Sequence, residues 1–466
     1  MNANTLWSLR LGFSNKQSTS IEKLGIKSFV EQSFNAKVDT VLPTFLEDSP
    51  KTIEEFKTFR QEIKEATSEA QKKILKKQIK GTNELRIWWL NKMQEEEFPL
   101  REKMTCFWHN HFVSTIQKVK ANYWIYQHNM ILRENAFGNF RELTKKIIQS
   151  NAMVRYLDNV DNRKGKLNEN LSRELLELFT IGIGNYTEED VKNGAKALAG
   201  LNLGNEKAVY RIALEDNDTI TYLGKTGQFK VEEIIDIIFE QKNTPYFITE
   251  KILKWFVYDT PSKELITYYG DYFKKVNFEI KPLLLKIFTE EYPKNNIGSK
   301  IKDPLVYTLQ LMDELQIKKT NPLFIIQFLK QQGMELFNQP NVKGWIGGNN
   351  WMTSQIYLQR NNASDFLSSG QNIIGRKRLE MQEMMEEKPM MPREVQKAKV
   401  AFDSNGTNKT IIKELSDRLL FTVDETTQKD METILKYDFN PKSESADAAV
   451  LRLFNYITKL PEFQII

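Results

Sequence analysis

Residues 167–182 read LNENLSRELLELFTIG. Asn168 is a good N-cap for a helix opening at Glu169, and a carboxylate there suits the positive end of the helix dipole. At about 100° per residue, Asn170, Arg173, Glu174 and Glu177 share one face. Leu171, Leu175, Leu178 and Phe179 take the opposite side. The segment is an amphipathic helix whose apolar side needs a core and whose polar side carries two carboxylates and an arginine in a row. That polar side has two readings. It is a solvated face with Arg–Glu pairs, or a buried face that supplies carboxylate ligands or a general base.

The same periodicity extends in both directions. SIEKLGIKSFVEQSF, LTKKIIQSNAMVRYL, VEEIIDIIFEQ and PLLLKIFTEEY space apolar residues three and four apart. Thr187 with Asp190 three residues on approaches a capping box for the next helix. Residues 51–82 are helix formers of mixed charge and read as one long, largely solvated helix. One stretch departs from this. AVYRIALEDNDTITYLGKTGQF, 208–229, sets β-branched and aromatic residues on both sides of EDND, a hairpin signal. The expected fold is mainly α: a large multi-helix globular fold with a small inserted β-hairpin. Residues 1–365 form the main helical domain, with the hairpin near 208–229. Residues 366–396 form a Met- and charge-rich linker, interrupted by Pro389 and Pro392. Residues 397–466 form a C-terminal helical segment packing on the main domain.

Composition narrows the function classes. The 66 basic and 61 acidic residues among 466 leave a net charge of +5, without the clustered basic face that nucleic acid requires. IQKVKANYWIYQHN, 116–129, interleaves lysines with aromatics, but the pattern equally fits an ordinary amphipathic element. The single cysteine, Cys106, excludes an internal disulfide framework and a cysteine-based zinc cage. The N-terminus lacks a basic start followed by an apolar run, so no signal peptide is visible. The default is cytoplasmic, with export by another route left open. No apolar run is long enough for a transmembrane segment.

Two of the three histidines lie in FWHNHFVST, 107–115. If residues 100–112 are one helix, His109 and His111 stand roughly 200° apart and cannot grip one ion. His111 then shares a core face with Leu100, Met104 and Phe107. A shared ion requires the helix to end near Trp108, so that alternate side chains point the same way. A third region of interest is NQPNVKGWIGGNNWM, 338–352, a loop rich in glycine and tryptophan of the kind that lines a site or seals a core.

Taken in order, PLREKMTCFWHNHFVST, LRENAFGNFREL, NENLSRELLELFTIGIGNYTEEDVKNGAKALAG and LFNQPNVKGWIGGNNWM resemble the bacterial domain-of-unknown-function family 1800. LWSLRLGFS, YLGKTGQF and IKDPLVY are similar to further landmarks of that family, and the resemblance runs from about residue 5 to about residue 365. It implies a predominantly helical fold and no established activity. Family genes often accompany those of a phosphatase- or sulfatase-like family, which implies a product of such a neighbouring gene as partner and an exported or envelope-associated task. The family motif positions fall on Trp108, His109, Asn110 and His111; on Asn168, Glu169, Asn170, Arg173, Glu174 and Glu177; and on Asn341, Gly344 and Trp345. Where family members commonly show a His-Asp pair before the hairpin's Leu-Gly, this chain has Glu215 and Asp216.

Two functions follow. The first is a metal-dependent or His/carboxylate acid–base enzyme, with a hydrolase the commonest outcome. Its catalytic set is His109, His111, Glu169, Arg173 and Glu174. Its binding set is Asn110, Asn168, Asn170, Glu177, Asn341, Gly344 and Trp345. Its ligands for a divalent zinc, iron or manganese ion are His109, His111, Glu174 and Asp216. The second is a non-catalytic helical binding or assembly protein whose polar motifs fix helix packing.

Overall fold

The computed structural model describes residues 2–294, 298–317, 321–368, 398–436 and 439–466. The chain is mainly α-helical, with two small antiparallel sheets as its only named strands among the described residues. No described helix is long and apolar enough to cross a membrane. The Met-rich stretch 376–396 lies outside the described residues.

Two apolar clusters organise the helices. The larger draws on residues from Leu6 to Trp351 and also takes in Ile466. The smaller joins Tyr307 and Leu311 of the helix Pro304–Glu314, and its C-cap Leu315, to Ile411, Leu415 and Val450 of the C-terminal helices. The chain end returns to the first cluster: Ile301 and Ile465 form an antiparallel bridge, and the Lys300 and Ile466 backbones exchange two hydrogen bonds.

The helix Leu100–His111, here the histidine helix, runs through the middle of the larger cluster. Ten of its twelve residues are buried, so its polar side chains must find internal partners. Glu102 accepts two hydrogen bonds from Arg133, at 2.7 and 2.8 Å, and a third from the Trp89 indole at 2.9 Å. Lys103 pairs with Asp303 at 2.9 Å, and Asp303 also caps Pro304–Glu314 through the Val306 amide. Both ion pairs are buried, so removing one partner would strand a charge.

Two local expectations are corrected. Residues 51–82 are not one helix. Ile53–Glu65 ends at Ala66, and Thr67 caps a second helix, Ser68–Glu95, by accepting from the Ala70 amide. The break comes where Ala66 leaves helical backbone and the Thr67 side chain offers a new start. The β element is present, but EDND is not its turn. Strand β1 (Leu201–Asn202) pairs with β2 (Val209–Tyr210), and β3 (Ile220–Tyr222) pairs with β4 (Lys225–Gly227). The β3–β4 turn falls on Leu223 and Gly224, both at positive φ, as the right-handed twist of a two-residue hairpin demands.

Candidate functional site

The histidine helix does not end at Trp108. It continues to His111, with Phe112 as its C-cap. His109 and His111 therefore diverge. The His109 ring is fully buried, 5.2–5.3 Å from the rings of Trp89, His128 and Phe337. Its Nδ1 accepts from the Gln339 amide at 3.1 Å, which leaves Nε2 to carry the proton in the neutral ring. The His111 Nε2–H donates to the Phe179 carbonyl at 2.9 Å, and its Nδ1 accepts from Lys251 at 3.3 Å. Burial drives both pKa values well below the ordinary range. For His109 the neighbouring His128 adds to this, and for His111 the Lys251 ammonium does.

A metal ligand needs a free imidazole lone pair. Here each ring's lone pair is already taken, by Gln339 or by Lys251. Asp216 holds a turn by accepting from the Asp218 amide, and Glu215 pairs with Lys230 at 2.9 Å. Among the described residues, no three His, Cys, Asp or Glu side chains are grouped to hold an ion. A single ion bound by His109, His111, Glu174 and Asp216 is not what this fold assembles, because a continuous helix holds the two imidazoles on different sides.

The motifs do meet, through bonds from side chains to backbone. Asn110 accepts from the Trp345 amide at 2.6 Å and donates to the Trp345 carbonyl at 3.2 Å, which clips the 338–352 loop to the histidine helix. Gly344 has φ of +79°, and a Cβ there would come within 2.3 Å of the Asn110 Oδ1. Only glycine fits both constraints. Asn341 holds the same turn from its other end by accepting from the Lys343 amide.

The polar helix starts one residue later than its sequence suggests. Glu169, not Asn168, stands at its N-cap and makes no side-chain cap; Asn168 accepts from the Asn170 amide just before it, and the α-helix Asn170–Glu174 passes into a π-helical segment, Leu175–Thr180. Two carbonyls at the C-terminal end of this segment, which has no further turn to pair them, take outside partners. Phe179 takes the His111 Nε2–H, and Leu178 takes the Lys251 ammonium at 2.7 Å. Lys251 comes from the helix Thr244–Phe256 and packs over the Phe247 ring. Burial lowers its pKa to about 7. Such π turns recur at functional sites.

On the outer face of this segment, the predicted side chains divide in two. Arg173 pairs with Glu188 at 2.8 Å and with Glu169 at 3.1 Å, and Glu188 and Glu169 hold its pKa above the ordinary value. This is the solvated Arg–Glu face. Glu174 is different. It is half-buried, and no hydrogen bond among the described residues reaches its carboxylate. Burial first, then Glu177, raise its pKa, with Lys343 and Arg173 opposing. Glu177 accepts from the Tyr186 hydroxyl at 2.9 Å. Burial and the charge of Glu174 push the Tyr156 hydroxyl up to about 12. Lys251, Tyr156, Tyr186 and Lys343 were not picked out from sequence. Nothing in the local sequence around any of them marks it, because the packing of separate helices and loops brings them to the motif.

No curated protein and no solved structure matches the chain at a significant level. The family described as protein of unknown function (DUF1800) matches it over residues 5–465. With nearly the whole chain covered, and the helical fold and motif contacts in place, this protein belongs to that family.

Proposed function

We propose that the outer face of residues 170–180 is a metal-independent acid–base site, with Glu174 as its proton donor and Glu177 as the paired carboxylate. One observation carries this reading. Glu174 is a half-buried carboxyl with a raised pKa that no neighbour hydrogen-bonds, next to a second carboxylate that Tyr186 holds in place. A structural glutamate normally has a partner; one left unpaired, with its pKa raised by burial and by Glu177, is suited to give up a proton to a substrate. Lys343 supplies a positive charge beside Glu174, and the Tyr156 hydroxyl a neutral donor. Arg173 steadies the face through Glu169 and Glu188. His109, His111, Asn110, Gly344 and Trp345 position it from behind.

The test is a screen of the purified full chain for hydrolysis of esters, glycosides and phosphomonoesters, each with a good and a poor leaving group. Turnover of one class that Glu174→Gln lowers by about 100-fold or more, most strongly for the poor leaving group, supports the site. A hydrolysis unaffected by Glu174→Gln overturns it.

A second reading is a binding or assembly protein without catalysis. The Asn110–Trp345 clip and the His111–Phe179 bond favour it, because both are fastenings between chain segments. Under this reading Glu174→Gln changes stability alone.

A further inference from the structure

The helical hairpin of residues 53–84 sends no side chain fully into the interior. The helix Ile53–Glu65 has no buried residue, and in Ser68–Glu95 the first is Leu85. Ile53, Phe56, Phe59, Ile63 and Ile74 are half-buried. The Phe56 and Trp124 ring centres lie 4.2 Å apart, the Gln71 amide donates to the Ile63 and Ala66 carbonyls, and Lys77 pairs with Asp48 at 3.2 Å. The hairpin shares no residue with the carboxylate face described above.

The outer side of its second helix is uncovered. Leu75 and Ile79, one turn apart, are 55% and 51% exposed and form a short apolar stripe. Lys72, Lys73, Lys76, Lys77 and Lys80 are exposed as well. From Gln71 to Asn83 there are five lysines and no acidic residue. The acids of the hairpin sit elsewhere: Glu54, Glu55, Glu62 and Glu65 on the first helix, Glu69 and Glu84 beyond either end of the basic stretch. At about 100° per residue, Leu75, Ile79, Lys72, Lys76 and Lys80 follow one another within an arc of about 140°. Among the described residues, no hydrogen bond or ion pair reaches the ammonium of Lys72, Lys73 or Lys80.

A positive face with an apolar stripe along its edge selects its partner. A nucleic acid would engage the lysines but needs no leucine and isoleucine beside them. A protein partner would need a groove shaped to a convex helix. The surface of an anionic bilayer needs no such shape and supplies both chemistries: acidic headgroups for the ammonium groups, and the acyl boundary for the apolar side chains. Lysine stems lie along that boundary while their charges stay at headgroup level. We propose that this helix face docks on an anionic lipid surface, with Leu75 and Ile79 entering the acyl boundary and Lys72, Lys76 and Lys80 pairing with acidic headgroups.

Cosedimentation of the full chain with phosphatidylcholine vesicles holding about 25% phosphatidylserine, at about 0.15 M salt, tests this. Vesicles of phosphatidylcholine alone are the control. The expected result is binding to the mixed vesicles only. Affinity should fall by about tenfold or more both in Lys72→Gln/Lys76→Gln/Lys80→Gln and in Leu75→Ser/Ile79→Ser. Circular dichroism of both variants should match the native protein, because every changed side chain is exposed. No binding to the mixed vesicles, or equal binding to phosphatidylcholine alone, would overturn the proposal. So would full affinity in the Leu75→Ser/Ile79→Ser variant, which would reduce the attraction to diffuse charge. A chain that ignores the vesicles and instead self-associates through Leu75 and Ile79, or binds soluble poly-glutamate, would place another occupant on the face and overturn it too.

Discussion

His109 and His111 are buried neutral groups whose loss should be felt as instability. His111→Ala removes the bond to Phe179 and leaves that carbonyl and Lys251 short of a partner. A destabilisation of about 2–4 kcal/mol is expected from the cavity and the unpaired groups together, measured by urea unfolding. Elemental analysis should find the same metal content in the native protein and the variant. Stoichiometric metal that disappears in a folded His111→Ala protein would contradict the fastening role. The histidine motif was legible as a residue pattern, and its two geometries could be set out in advance. The choice between them turned on whether the helix ended at residue 108 or 111, and the β-branched Val113 and the polar residues after it gave no signal fine enough to fix that boundary. The carboxylates were legible as a face, but not which of them stays unpaired, because Glu188 and Lys343 approach from distant parts of the chain.

At the scale of elements, the π turn and the loop clip assemble the site. Gly344→Ala forces a Cβ onto Asn110 at a backbone conformation that alanine resists. It should cost more than about 2 kcal/mol and expose the 338–352 loop to proteolysis, which a time course of limited digestion would show. Digestion as slow as in the native protein would mean that the clip is dispensable. The π turn itself left no trace in ELLELFT, since its apolar residues keep helical spacing whether the turn is α or π. The capping box at Thr187 and Asp190 was read correctly because its signal is local: both side chains bond within four residues. The β3–β4 hairpin was placed in the right region with the wrong turn, because EDND carries stronger turn chemistry than the Leu-Gly pair that makes the bend.

The molecule as a whole carries its three histidines buried and neutral, which makes it acid-sensitive. His128, bonded to the Phe112 carbonyl, has its pKa lowered by burial to about 4. The unfolded chain takes up this proton near pH 6.5, whereas the native protein does so only near 4. Stability is therefore fully present above about pH 6.5 and is lost as pH falls through that window. The loss from His128 alone is on the order of 3 kcal/mol. Urea midpoints should fall between pH 7 and pH 4.5, and His128→Gln should flatten the slope; equal slopes would show that other groups set it. Helical class and the inserted β element were readable because periodicity repeats over hundreds of residues. The return of Ile465 to Ile301 was not, since nothing in a short apolar terminus names its partner.

The acid–base site depends above all on Glu174. Its carboxyl titration can be followed by carbon NMR of protein labelled at the glutamate side chains, with the resonance assigned by its loss in Glu174→Gln. The expected pKa lies above the ordinary glutamate value and falls towards it in Glu177→Gln. A value at or below the ordinary one in the native protein, unmoved by Glu177→Gln, would contradict the acid–base site and leave this face a solvated surface.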